Sequence, residues 1–106
     1  GPLDLLLYLI RRHNLDVLDI PMADLTRQYL EYVDAMRAEH LELAAEYLLM
    51  AAMLIEIKSR MLLPKPPAAN DDGAEPEDPR AELVRRLLEY EQMKLAAHRL
   101  NGLPQA

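Results

Sequence analysis

The segment from Leu41 to Leu63 most constrains what this chain can fold into, because its apolar residues recur at the period of an α-helix. At about 100° per residue, two adjacent faces of that helix are apolar and the charged residues occupy a narrow arc. The first face consists of Ala44, Leu48, Ala51, Ala52, Ile55 and Leu62. The second face consists of Leu43, Tyr47, Met50, Leu54, Ile57 and Met61. The combined arc of about 200° is about twice what a surface helix needs, so this helix is predicted to contact more than one neighbour.

Two shorter helices precede this long helix. The first is predicted from Leu3 to Arg12 and stops near Asn14, and the second is predicted from Pro21 to Ala38. The basic pair Arg11-Arg12 falls at the carboxyl end of the first helix, where the helix dipole favours positive charge. We interpret that pair as capping in preference to phosphate binding.

Three prolines end the long helix, since proline cannot continue one. The segment 64–78 that follows is proline-rich and acidic, which is typical of a linker. A fourth helix is predicted to begin with Asp78 as its N-cap and to end at Asn101-Gly102. We therefore expect an N-terminal helical domain over 1–63, a linker over 64–78 and a tethered helix over 79–106.

The choice of apolar residues favours an all-α fold. Apolar residues make up 51% of the chain, yet aromatic residues make up only 5%, and there is no Phe or Trp. Leu, Ala and Met must fill the core, and these residues suit helix packing better than a β-sandwich. The chain has no cysteine, and its longest uncharged run is much shorter than the roughly 20 residues of a membrane span. No membrane association is predicted, and a cytoplasmic location is expected.

The net charge of −6 is concentrated in the predicted linker. Five carboxylates lie there without a basic residue between them: Asp71, Asp72, Glu75, Glu77 and Asp78. Outside this cluster acidic and basic residues nearly balance, and no basic stripe is visible that could displace counterions from DNA. Direct nucleic-acid binding is therefore not expected.

No arrangement of residues predicts catalysis, a metal site or a cofactor. Ser59 lies inside the long helix without a nearby histidine to activate it, and a packing contact is the expected role. The histidines at 13, 40 and 98 lack partners at the helical spacing that zinc requires. No glycine-rich loop could hold a phosphate, and no small-molecule substrate is predicted. An enzyme is the least favoured class of function.

Several motifs, in order along nearly the whole chain, resemble one family. They are Gly-Pro-Leu-Asp-Leu-Leu-Leu at 1–7, Asp-Ile-Pro at 19–21, Gln-Tyr-Leu at 28–30, Glu-Tyr-Leu at 46–48, Met-Ala-Ala at 50–52, Glu-Ile-Lys-Ser-Arg-Met-Leu-Leu-Pro at 56–64 and Asp-Pro-Arg at 78–80. Together they are similar to the N-terminal region of segregation and condensation protein A, a bacterial kleisin. The stretch from Lys58 to Pro64 is the most specific of them.

The resemblance implies a subunit of the bacterial SMC condensin-like complex, which compacts chromosomes and helps to segregate them. In that family the N-terminal helices join the coiled-coil neck of an SMC protein. A central segment binds a dimer of segregation and condensation protein B (ScpB), and a C-terminal winged helix binds the second SMC head. The winged helix has no counterpart here, so a fragment of a longer kleisin is expected. The competing hypothesis is a self-associating helical adaptor unrelated to chromosomes.

Two sets of partner-binding residues follow. The second face of the third helix is predicted to bind the SMC neck, while the first face packs on the two preceding helices. The predicted neck-binding residues are Tyr47, Met50, Leu54, Ile57, Lys58 and Met61. The predicted ScpB-binding residues lie on two stripes of the fourth helix: Leu83, Leu87 and Tyr90 on one, and Val84, Leu88 and Leu95 on the other. Two alternatives remain open, namely that helices one, two and four enclose the third completely, and that the fourth folds back onto the domain.

Overall fold

The computed structural model describes residues 1–39, 42–64 and 77–104. It contains four α-helices: α1 (Pro2–Arg12), α2 (Met22–Ala38), α3 (Ala45–Leu62) and α4 (Ala81–Asn101). Every regular element in these ranges is a helix, which confirms the all-α prediction.

The end of α1 shows how the sequence stops a helix. Asn14 has a positive φ of 56°, in the left-handed region that asparagine tolerates better than most residues. The Asn14 N–H donates to the Arg11 carbonyl at 3.1 Å, and the Leu15 N–H donates to the Ile10 carbonyl at 2.9 Å. This pair of bonds is a Schellman motif, and it confirms that α1 stops at Asn14.

Two predicted helix starts were too early. Helix α3 begins at Ala45 because Ala44 is extended, with φ −63° and ψ 144°, and Leu41 lies outside the described residues. Asp78 is not the N-cap of α4, since that position is held by Arg80. The Asp78 carboxylate instead accepts the backbone N–H of Arg80 at 2.9 Å, which forms a turn before the helix. The predicted end at Asn101 is confirmed.

All four helices contribute to one core of buried side chains, the largest of which is Tyr29 on α2. Its hydroxyl donates to the Tyr47 carbonyl of α3 at 2.7 Å, so this buried side chain is hydrogen-bonded across the interface between the two helices. Burial, which disfavours the phenolate, raises the pKa of Tyr29 to about 12. The buried apolar residues are Leu6, Leu7, Leu9, Ile10, Ile20, Met22, Leu25, Tyr29, Val33, Met50, Leu54, Ile57, Leu83 and Leu87.

The core includes side chains from both sides of the predicted linker. Leu83 and Leu87 of α4 are fully buried in the same cluster as residues of α1, α2 and α3. The fourth helix therefore folds back onto the domain, which was one of the two alternatives. Of the predicted linker, residues 65–76 lie outside the described residues, and only its ends at Pro64 and at Glu77 and Asp78 can be placed.

Candidate protein-interaction surfaces

The face of α3 that was predicted to meet a partner points mainly into the core. Met50, Leu54 and Ile57 are buried, and Leu54 has no exposed surface. Tyr47 and Lys58 are partly buried, and Met61 is exposed near the end of the helix. The prediction that the opposite face packs on α1 and α2 was wrong. The larger side chains fill the space between the helices, since a core must be filled to the density of an organic crystal.

The other face of α3 is exposed. Leu48, Ile55 and Leu62 retain 52%, 47% and 73% of their accessible surface. They follow one another at intervals of seven residues, and the side chains between them on this face are small: Ala51, Ala52 and Ser59. We call Leu48, Ala51, Ala52, Ile55, Ser59 and Leu62 the α3 stripe. Ser59 is thus exposed on the stripe.

Helix α4 docks on α1 through one apolar stripe. Leu83 and Leu87 are fully buried, and Val84 and Tyr90 are partly buried beside them. At roughly 1.5–3 kcal/mol for each buried leucine, these two side chains contribute much of the attraction between α4 and the domain. The predicted ScpB-binding set therefore divides: its most buried members hold α4 in place, while Leu88 and Leu95 remain exposed.

A polar latch between α1 and α4 centres on Asp4. The Tyr90 hydroxyl donates to one Asp4 carboxylate oxygen at 2.6 Å, and Lys94 donates to the other at 2.5 Å. These bonds, with that from Lys94 the stronger, lower the pKa of Asp4 to about 2. Arg11 of α1 adds an ion pair with Glu91 of α4 at 3.3 Å. These contacts could not be predicted from the sequence, because no pattern in it places α4 beside α1.

Arg80 fixes the beginning of α4. Its guanidinium is largely buried and donates to the Ile20 carbonyl at 2.9 Å and to the Asp19 carboxylate at 3.0 Å. Three further hydrogen bonds join the guanidinium to the Asp78 carboxylate. The bonds to Asp78 and then to Asp19 raise the pKa of Arg80 above its usual value. The Asp-Pro-Arg motif that contributed to the family resemblance thus joins the start of α4 to the segment before α2.

The described residues contain little that could support chemistry. Residues 1–39, 42–64 and 77–104 include no group of three or more His, Asp or Glu side chains placed to hold a metal ion. His13 and His98 are exposed at or near helix ends, and His40 lies outside these ranges. No helix in this part of the chain is long and apolar enough to cross a membrane.

Comparison with known proteins identifies the family. Residues 9–105 match the family model described as segregation and condensation protein ScpA. The chain belongs to the segregation and condensation protein A family. This confirms the resemblance drawn from the motifs at 1–7 and 56–64.

Relatives from several bacteria match the chain over most of its length. Segregation and condensation protein A of Xylella fastidiosa (strain 9a5c) is 66% identical over 98% of this chain and 34% of its own length. The protein of the same name from Coxiella burnetii is 64% identical over 98% of the chain and 38% of its own length. The Bacillus subtilis (strain 168) protein is 56% identical over 92% and 39%. The chain therefore spans somewhat more than a third of the length of these relatives.

Proposed function

We propose that this chain is a non-enzymatic kleisin segment that binds the coiled-coil neck of an SMC protein and so takes part in chromosome segregation and condensation. The observation that carries the proposal is the exposed α3 stripe, in which Leu48, Ile55 and Leu62 recur every seven residues. Membership of the family supports a role in chromosome segregation and condensation. The choice of the SMC neck as the partner comes from the resemblance of the sequence motifs to that family.

A coiled coil is the partner that best fits this stripe. A seven-residue repeat keeps its side chains in register with a supercoiled neighbour, where each large residue enters a hole between four residues of the other helix. The alanines at 51 and 52 and the serine at 59 permit close approach of the two backbones. Lys58, partly buried at the edge of the stripe, remains a candidate for an ion pair worth under about 1 kcal/mol. Met50, Leu54 and Ile57, which are buried on the opposite side of α3, hold the helix on the domain so that the α3 stripe faces outward.

Two adjacent leucines provide a matched test. Leu48 lies on the α3 stripe, whereas Leu49 is more exposed and lies about 100° further around the helix. Leu48→Glu should weaken binding to an SMC head-and-neck fragment by about tenfold or more. The change removes the roughly half of a leucine's burial energy that remains available on binding, about 0.8–1.5 kcal/mol, and it places a charge in an apolar contact. Leu49→Glu should leave the affinity within about twofold. Isothermal titration calorimetry measures both, and circular dichroism verifies that both variants keep their helices.

The variants Leu48→Glu and Leu49→Glu also help to distinguish binding of an SMC neck from self-association of this chain. Equal losses of affinity in both variants, or no loss in Leu48→Glu, would contradict the assignment of the stripe. Sedimentation of the chain alone addresses the helical adaptor hypothesis. A homodimer that Leu48→Glu dissociates would favour a second copy of the chain as the occupant of the stripe.

We propose a second contact, with ScpB, through the exposed side of α4. Leu88 and Leu95 lie seven residues apart beside the partly buried Val84, on the flank of the docked stripe. Leu95→Asp should weaken ScpB binding about tenfold, because it removes the burial energy still available at this half-buried leucine and places a carboxylate in an apolar contact. Leu100→Asp is the matched control, because Leu100 is also exposed but lies on the other side of α4. Loss of binding in both variants, or in neither, would remove this stripe from the proposal.

A further inference from the structure

A polar cleft lies on the outer side of α1, away from the α3 stripe. Its volume is about 670 Å³. The residues that line it are Asp4, Leu7, Tyr8, Arg11, Arg12 and Lys94. Three of them are cationic, and one of these, Lys94, comes from α4, so the cleft exists in this form only while α4 is docked. No residue of α3 contributes to it.

The three cations are not equally neutralised. Lys94 is bound to Asp4 at 2.5 Å, and Arg11 is bound to Glu91 at 3.3 Å. Arg12 has no carboxylate within ion-pair distance among the residues that the structure describes. Its bond to a protein group is a donation from Nη1 to the Tyr32 hydroxyl at 2.8 Å. The remaining N–H groups of an exposed guanidinium are available to an acceptor from outside.

Two tyrosines continue the hydrogen bonding that begins at Arg12. The Tyr32 hydroxyl, which accepts from Arg12, donates a long hydrogen bond of 3.5 Å to the Tyr8 hydroxyl. The two rings meet edge to face, with centroids 6.0 Å apart and planes at 79°. Because Tyr8 accepts from Tyr32, its own hydrogen is left to donate into the cleft. That bond and the nearby Arg12 charge lower the pKa of Tyr8, as expected of a polarised donor.

We infer that this cleft binds a carboxylate-rich peptide segment of a partner protein, with Tyr8 and Arg12 donating to one carboxylate and Arg11 and Lys94 attracting its neighbours. A planar guanidinium beside a hydroxyl donor suits a carboxylate. A DNA backbone fits less well, because its binding requires the neutralisation of several phosphates, and two of the three cations in the cleft are already paired with Asp4 and Glu91. This surface is separate from both contacts of the proposed function and does not depend on them.

Fluorescence anisotropy with defined probes tests the inference on the 106-residue chain. The probes are a labelled oligoglutamate peptide, an oligoglutamine peptide of the same length, and a short DNA duplex. Oligoglutamate should bind, and oligoglutamine and the duplex should bind much more weakly. Arg12→Gln should reduce oligoglutamate affinity about tenfold, since it removes charge-assisted hydrogen bonds. Tyr8→Phe, which keeps the ring and removes only the hydroxyl, should reduce it about threefold.

Arg37→Gln is the control for general electrostatic attraction. Arg37 is an exposed arginine of α2 that does not line the cleft, and its loss changes the net charge by the same amount. Its affinity for oligoglutamate should match that of the unmodified chain. An equal loss in Arg37→Gln and Arg12→Gln would overturn the inference. Failure of oligoglutamate to bind, or tighter binding of the duplex with the same dependence on Arg12, would also overturn it.

Discussion

Leu54→Ala is expected to be among the most destabilising single changes in this chain. Leu54 lies on α3 with no exposed surface, within the core cluster to which all four helices contribute. Truncation of a buried leucine removes its transfer free energy and leaves a cavity, which together cost about 2–5 kcal/mol. A domain of this size has a free energy of unfolding of about 5–15 kcal/mol, so this loss is a large fraction of the total.

The neighbouring residue provides the comparison. Ile55 lies on the α3 stripe and keeps 47% of its surface in the folded chain. Ile55→Ala therefore loses about half of the burial energy of an isoleucine and regains a few tenths of a kcal/mol from the higher helix propensity of alanine. We expect a net destabilisation under about 1 kcal/mol. Leu54→Ala and Ile55→Ala thus separate the two faces of one helix by at least about 1 kcal/mol.

Urea denaturation followed by helical circular dichroism measures both variants. With a urea dependence of about 2 kcal/mol per molar, the middle of the usual range, Leu54→Ala should lower the midpoint by about 1–2.5 M. Ile55→Ala should lower it by well under that amount. Loss of a cooperative transition in Leu54→Ala alone would agree with the reasoning. A midpoint that falls equally in both variants, or further in Ile55→Ala, would refute the orientation of α3.

Three further predictions concern how α4 is held. Leu87→Ala should speed amide hydrogen exchange in α4 more than in α3, because the side chain lies between α4 and the rest of the core. Equal acceleration in both helices would contradict the idea that α4 can detach while the other helices stay folded. The pKa of Asp4, lowered to about 2, should return toward its usual value near 4 in Lys94→Ala by NMR titration. Because the folded pKa is the lower one, this stabilisation is present above about pH 4 and is lost as the pH falls through about 2. Arg80→Ala should increase backbone motion at the start of α4 in NMR relaxation, since the bond to the Ile20 carbonyl is lost; unchanged order parameters would contradict that role.

Sequence patterns predicted where the helices lie along the chain more accurately than they predicted how the helices pack on one another. The end of α1 just before Asn14 and that of α4 at Asn101 depend on local backbone preferences, which are the same in any fold. The late start of α3 was missed because the apolar pattern continues upstream of Ala45, while the backbone at Ala44 is extended. Periodicity cannot show where the first helical hydrogen bond forms.

The orientation of α3 was the main error, and its cause is specific. Leu54 and Ile55 are adjacent in sequence and lie about 100° apart on the helix, each at the centre of an apolar face. Periodicity alone shows that both faces are apolar but not which one turns inward. The small residues of the α3 stripe suggested close packing within the chain. The volume left between α1 and α2 required the larger side chains instead, which left Ala52 and Ser59 exposed and Ala51 only partly buried.

The sequence by itself determined the fold class, the C-terminal ends of the helices and the family, because these depend on local propensity and on motifs that can be read in order along the chain. Only the tertiary structure decided which apolar stripes are exposed, and it alone brought Asp4 to Lys94 and Arg80 to the Ile20 carbonyl. Those contacts join residues far apart in sequence. Their formation depends on how four helices share one limited core, which no single helix specifies.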